Sequence, residues 1–159
     1  MMIKLLFISH TGTGEPPMAE FIMKDLVKKA GLSDKIYVSS ARFEKKGGPL
    51  STEGQEVLKA HGVPCSAKEA LPLEWKTYDQ YNYIYFMDNL QDPRIFNTLG
   101  GDVDNKLSLL SSAYGSEEGI SNPYGRGSFE RAFRDSDEAC KILLRKFREW
   151  VKQPLAVSC

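Results

Sequence analysis

Short, nearly unbroken apolar runs alternate along this chain with longer stretches in which apolar positions recur every three or four residues. The first run, Ile3–Ile8, is apolar at all but one position, as a strand buried on both faces should be. Pro16 and Pro17 then suit the first turn of a helix, where a missing N–H is harmless. Phe21, Ile22, Leu26, Val27 and Ala30 keep helical spacing up to a stop at Gly31. A second strand is predicted over residues 35–40, followed by a Gly- and Lys-rich loop and a helix carrying Val57 and Leu58 that ends at His61-Gly62. A third strand is predicted over 81–87. Asp92-Pro93 reads as a helix start, and a short fourth strand follows over 107–110. Residues 111–128 form the longest irregular stretch, and a last helix over 129–151 carries Phe133, Cys140, Leu143, Leu144 and Phe147 on one stripe. Strands and helices in alternation predict a parallel sheet with crossover helices, whose sites lie in the loops after strand ends.

Composition narrows the partners. A chain of 159 residues with 42% hydrophobic content supports one cored domain, expected over residues 1–159. Lys plus Arg and Asp plus Glu both number 21, so no global field favours nucleic acid or an anionic membrane surface. Cys65, Cys140 and Cys159 have no metal-ligand or CxxC spacing; no metal site is expected, and reduced thiols suit a cytoplasmic protein. The opening residues are too short and β-like for a secretory segment, and no apolar run is long enough to span a membrane.

The densest chemistry lies between the first strand and the first helix, in Ser9-His10-Thr11-Gly12-Thr13-Gly14-Glu15. Amides of a glycine turn and of a helix's first turn converge there, where the helix dipole favours negative charge. The loop has no Lys or Arg, so a phosphate would be held by amides and by the hydroxyls of Ser9, Thr11 and Thr13. The bland reading is an N-cap with a tight turn. His10 beside Ser9 is not read as a catalytic pair, because adjacent loop residues point different ways. His61 reads as a helix C-terminal residue, the alternation of Tyr81, Tyr83 and Tyr85 as packing, and Lys45-Lys46 and Arg126 as surface.

The strand–loop–helix ending in Pro17-Met18-Ala19-Glu20, the strand end Val38-Ser39-Ser40-Ala41, Met87-Asp88, Gly100-Gly101-Asp102 and Asn122-Pro123-Tyr124 together resemble the low-molecular-weight protein tyrosine phosphatases, in order over nearly the whole chain. The resemblance implies a flavodoxin-like three-layer α/β sandwich: a four-stranded parallel sheet of order 2-1-3-4 with helices on both faces. It also implies a cysteine thiolate nucleophile, an arginine separated from it by five residues in a Cys-x5-Arg pattern, and an aspartic acid as general acid. Ser9, Glu15 and Asn122 stand at those three positions. An un-ionised hydroxyl is a poor nucleophile, a carboxylate repels phosphoryl oxygens, and an amide has no proton to give. Loss of phosphatase activity is therefore expected, with a residually active phosphatase or a phosphotyrosine trap as the alternative and a scaffold acting by surface contacts as a third reading.

The same loop is similar to the phosphate-binding loop of flavodoxins, Ser-x-Thr-Gly-x-x-Glu or nearly so, which holds the FMN phosphate without a cation. That similarity implies FMN as a phosphate-bearing ligand, and the union of the two patterns suggests a recombined or engineered loop. The flavin ring would then lie across the strand ends, flanked by aromatic candidates Phe96, Tyr114, Tyr124 and Phe43, with Trp75 if its segment folds over. Asn89, Gln91 and Asn122 are the polar candidates for its edges. No protein partner is indicated.

Overall fold

The computed structural model describes residues 2–88, 93–124 and 128–152. Its strands are β1 (Ile3–Ile8), β2 (Ile36–Arg42), β3 (Leu71–Pro72), β4 (Tyr83–Phe86) and β5 (Leu107–Leu109). Its helices are α1 (Met18–Lys29), α2 (Thr52–Ala60), α3 (Thr77–Gln80), α4 (Pro93–Leu99) and α5 (Phe129–Lys152). All pairings are parallel and the order is β3-β2-β1-β4-β5. The order 2-1-3-4 expected for four strands is present as β2-β1-β4-β5. The fifth strand escapes sequence reading because it is two residues long, exposed, and ends in Pro72, a residue that suits a sheet edge.

Alternate side chains of the sheet feed two apolar layers. Leu5, Phe7, Val38 and Tyr85 face α1, α2 and α5, where Ile22, Met23, Leu58, Cys140, Leu143 and Phe147 are buried. Leu6, Ile8, Ile84 and Phe86 face α3 and α4, meeting Tyr78, Ile95 and Leu99. The side-chain period of two thus builds the three-layer α/β arrangement directly. Helix α1 stops as expected: Gly31 takes φ +72°, and Leu32 N–H returns to the Val27 carbonyl at 3.0 Å. Within the stretch expected to be irregular, Leu110–Tyr114 form a 3₁₀ turn closed by Gly115. Among the described residues, no helix is long and apolar enough to cross a membrane.

Register places the site. Ile8 pairs with Ala41 on one side and Phe86 on the other, so the loops after β1, β2 and β4 emerge together at one end of the sheet. The chain leaves β1 for β2 on one side and reaches β4 on the other, which opens the crevice where open α/β sheets hold ligands.

Candidate functional site

Ser9 continues the ladder of β1. Its N–H donates to the Ala41 carbonyl at 2.9 Å, and its hydroxyl donates to the same oxygen at 3.2 Å. Both Ser9 and His10 are buried. The Nδ1–H of His10 donates to Asp88 Oδ1 at 3.0 Å, while Thr11 N–H donates to Asp88 Oδ2. Gly12, at φ +83°, turns its N–H toward Glu44 Oε1 at 2.7 Å. Thr13 sends both its N–H and its hydroxyl to the His10 carbonyl, each at 3.1 Å. Glu15 Oε2 accepts from Ser51 N–H at 3.1 Å, and Asn122 Nδ2 donates to the Thr11 carbonyl at 3.2 Å.

Several donors of the expected cradle are engaged within the protein. The amides of Thr11 and Gly12 meet carboxylates of the protein itself, Asp88 and Glu44, and those of Thr13 and the Ser9 and Thr13 hydroxyls meet carbonyls. The physical reason is the missing cation: a loop of convergent amides draws whatever negative oxygen is nearest, and neighbouring loops supply two. Pro16 and Pro17 remove two more donors at the helix start, and Pro17 as N-cap offers no side-chain bond. The space at the loop mouth, bounded by His10, Thr13, Glu15, Tyr124, Phe129 and Ser136 among others, is only about 10 Å³, at the lower limit for one water.

Burial pushes the Asp88 carboxyl up, but hydrogen bonds and charge from His10 and bonds from Thr11 outweigh it and hold the carboxyl below its ordinary range. Glu15 goes the other way, raised by burial against the opposing Ser51 amide.

The aromatic candidates do not surround one ring. Phe96 stacks on Phe86 at 6.3 Å in the layer with α3 and α4, and Phe43 lies in that layer beneath the Arg94 guanidinium. Tyr114 packs into the opposite layer with α5, so Phe96 and Tyr114 lie on opposite faces of the sheet. Tyr124, half exposed, meets the edge of Phe129 at 5.0 Å and lines the loop mouth. Trp75 is exposed and does not line that mouth. Asn89, Gln91, Arg126 and Cys159 lie outside the described residues. His61 caps α2 as expected, stacked on Phe133 and paired with Glu130. Sequence reasoning missed Glu44, for which no local signal exists, and the role of Asp88, which a chemically suggestive position at a strand end could have raised.

Comparison with known proteins decides the family. The low-molecular-weight phosphotyrosine protein phosphatase family matches residues 4–153. This chain belongs to that family. A phosphatase of the family from Drosophila melanogaster, phosphatase 2, is 32% identical over 142 residues, covering 83% of this chain and 84% of that protein. The Homo sapiens phosphatase is 30% identical over 152 residues, covering 89% and 94%. The crystal structure of YfkJ from Bacillus subtilis superposes with a TM-score of 0.84 at 27% identity, covering 96% of this chain and 98% of that one. The family match spans the β1–α1 loop, so Ser9, Glu15 and Asn122 all lie inside the matched region.

Proposed function

We propose that this chain is a non-hydrolytic member of the low-molecular-weight phosphotyrosine phosphatase family, with its former catalytic loop closed on its own carboxylates. The observation that carries this is the engagement of the Thr11 and Gly12 amides by Asp88 and Glu44. A phosphoryl group would need those donors. Ser9 adds no nucleophile: its hydroxyl donates to a carbonyl, and among the described residues no base is bonded to it. Glu15 supplies negative charge where the resemblance calls for a guanidinium, and Asn122 has no proton for a leaving group.

The test is hydrolysis of an aryl phosphate by purified protein beside Ser9→Ala. Rates indistinguishable between the two, and from buffer, are expected. Turnover that persists through repeat purification and falls in Ser9→Ala overturns the proposal and favours the second reading, a phosphotyrosine phosphatase, which family membership and the relatives' names support. FMN, implied by the loop's likeness to flavodoxins, must displace both carboxylates to reach the amides. It has its own test: saturable quenching by FMN but not riboflavin, lost in Thr11→Ala plus Thr13→Ala, supports it, and equal weak binding of the two flavins removes it.

A further inference from the structure

A second charged cluster sits on the flank of α1, away from the loop. Glu20 is completely buried, yet its carboxylate pairs with two lysines. Its Oε1 accepts from the Ser40 hydroxyl at 2.5 Å, which fixes the carboxylate from the sheet side. Its Oε2 accepts from Lys24 Nζ at 2.6 Å and also from Lys68 Nζ. Lys28 follows Lys24 by one helical turn on the same face. Between α1 and the outer part of β2 lies a cleft of about 300 Å³ lined by these three lysines, the hydroxyl residues Ser33 and Ser39, and the half-exposed ring of Tyr37.

The charges do not balance. The cleft is lined by three lysines and by no carboxylate, and Glu20, which pairs with Lys24 and Lys68, leaves Lys28 outside its ion group. The arrangement is built and not a chance meeting of surface side chains. A buried carboxylate holds two of the ammonium groups side by side, against their mutual repulsion. Burial lowers the pKa of Lys68, partly offset by Glu20 and added to by repulsion from Lys24. A dianion entering the cleft would relieve that repulsion.

We infer that this cleft is an oxyanion site for a phosphate dianion, either free or carried as a monoester. It is independent of the β1–α1 loop and of whether that loop is silent. Tyr37, stacked against Tyr81 with ring centroids 6.5 Å apart, offers a wall on which an aryl group of a monoester can lie.

The experiment titrates inorganic phosphate, and separately phenyl phosphate, into the full chain while following backbone amide resonances, with chloride at matched ionic strength as control. Saturable shifts confined to residues 24–39 and around Lys68 are expected. Lys28→Gln should weaken binding about threefold, the effect of one exposed charge, and Lys28→Gln with Lys68→Gln about tenfold or more. Lys28 is exposed and outside the Glu20 ion group, so its single variant keeps the test valid if the double variant fails to fold. Tighter binding of phenyl phosphate than of phosphate assigns the monoester source, and equal binding assigns the free ion. Shifts reproduced by chloride, shifts centred on residues 9–15, or affinity unchanged in Lys28→Gln would each overturn the proposal.

Discussion

Asp88 uses both carboxylate oxygens inside the protein, one on His10 and one on Thr11. Removing it leaves the buried His10 imidazole without its partner, so Asp88→Ala should cost about 1–3 kcal/mol in denaturant unfolding. Glu44→Ala should cost less, about 0.5–1 kcal/mol, because Gly12 is exposed and water can replace the lost acceptor. Equal costs would mean that the two carboxylates do not hold the loop as described. The pH dependence of the two perturbed acids has opposite sign. Asp88, lowered in the fold, contributes stability that is present above the ordinary aspartate value near about 3.9 and is lost as pH falls through its lower folded value. Glu15, raised in the fold, binds its proton more readily there than in the unfolded chain, so stability falls as pH rises from the ordinary glutamate value, about 4.3, through the raised one. Glu15→Gln should therefore raise stability at neutral pH and flatten the profile just above that value, measured by urea unfolding across pH. An unchanged profile would show that Glu15 is solvated.

At the scale of elements, the long α5 helix covers the α1 side of the sheet, with Ala139, Cys140 and Phe147 fully buried. Phe147 packs against Tyr83 and Trp150 at centroid distances of 5.2 and 5.4 Å, so Phe147→Ala should cost about 3–5 kcal/mol through the cavity it leaves. Thermal or denaturant unfolding measures this, and a loss under about 1 kcal/mol would place the ring in a yielding site. The β2–α2 connection presses on the site loop from the other side. A Cβ at Gly14 would overlap the Lys46 carbonyl oxygen, which is backbone and cannot swing aside. Gly14→Ala should cost about 1–3 kcal/mol and detach the Glu44 and Ser51 contacts from the loop, read as new amide shifts over residues 43–51.

For the whole molecule, the family fold is intact, and the proposed loss of hydrolysis rests on the loop's chemistry alone. Catalysis by nucleophile, oxyanion clamp and acid is a property of the set, so single restorations at Ser9, Glu15 or Asn122 should leave aryl phosphate hydrolysis at the buffer rate. Ser9→Cys, Glu15→Arg and Asn122→Asp together should produce measurable turnover, because they return a thiol nucleophile, a cation for the phosphoryl oxygens and a proton donor at once. A triple variant that folds and stays silent would mean that the carboxylate closure outlasts the restoration.

Much of this molecule is legible from local pattern, because its strands and helices bury faces whose periods are written residue by residue. Ile3–Ile8, the α1 stop at Gly31 and the α5 stripe all belong to that class. The parallel pairing and the place of the loop at a strand's carboxyl end follow from the same alternation, whereas the strand order comes only with the family resemblance. Chain-local reading also named the residues Ser9 to Glu15, since their composition is itself the signal. It could not tell what those amides hold. That depends on Glu44 and Asp88, brought in from 32 and 77 positions away by the pairing of β2 and β4 with β1. Nor could it separate Phe96 from Tyr114, since which face of the sheet an aromatic occupies is decided by the crossover that carries it. Composition announces where hydrogen-bond donors converge, but only the tertiary arrangement decides which acceptor reaches them first, because that competition is settled by distance in space.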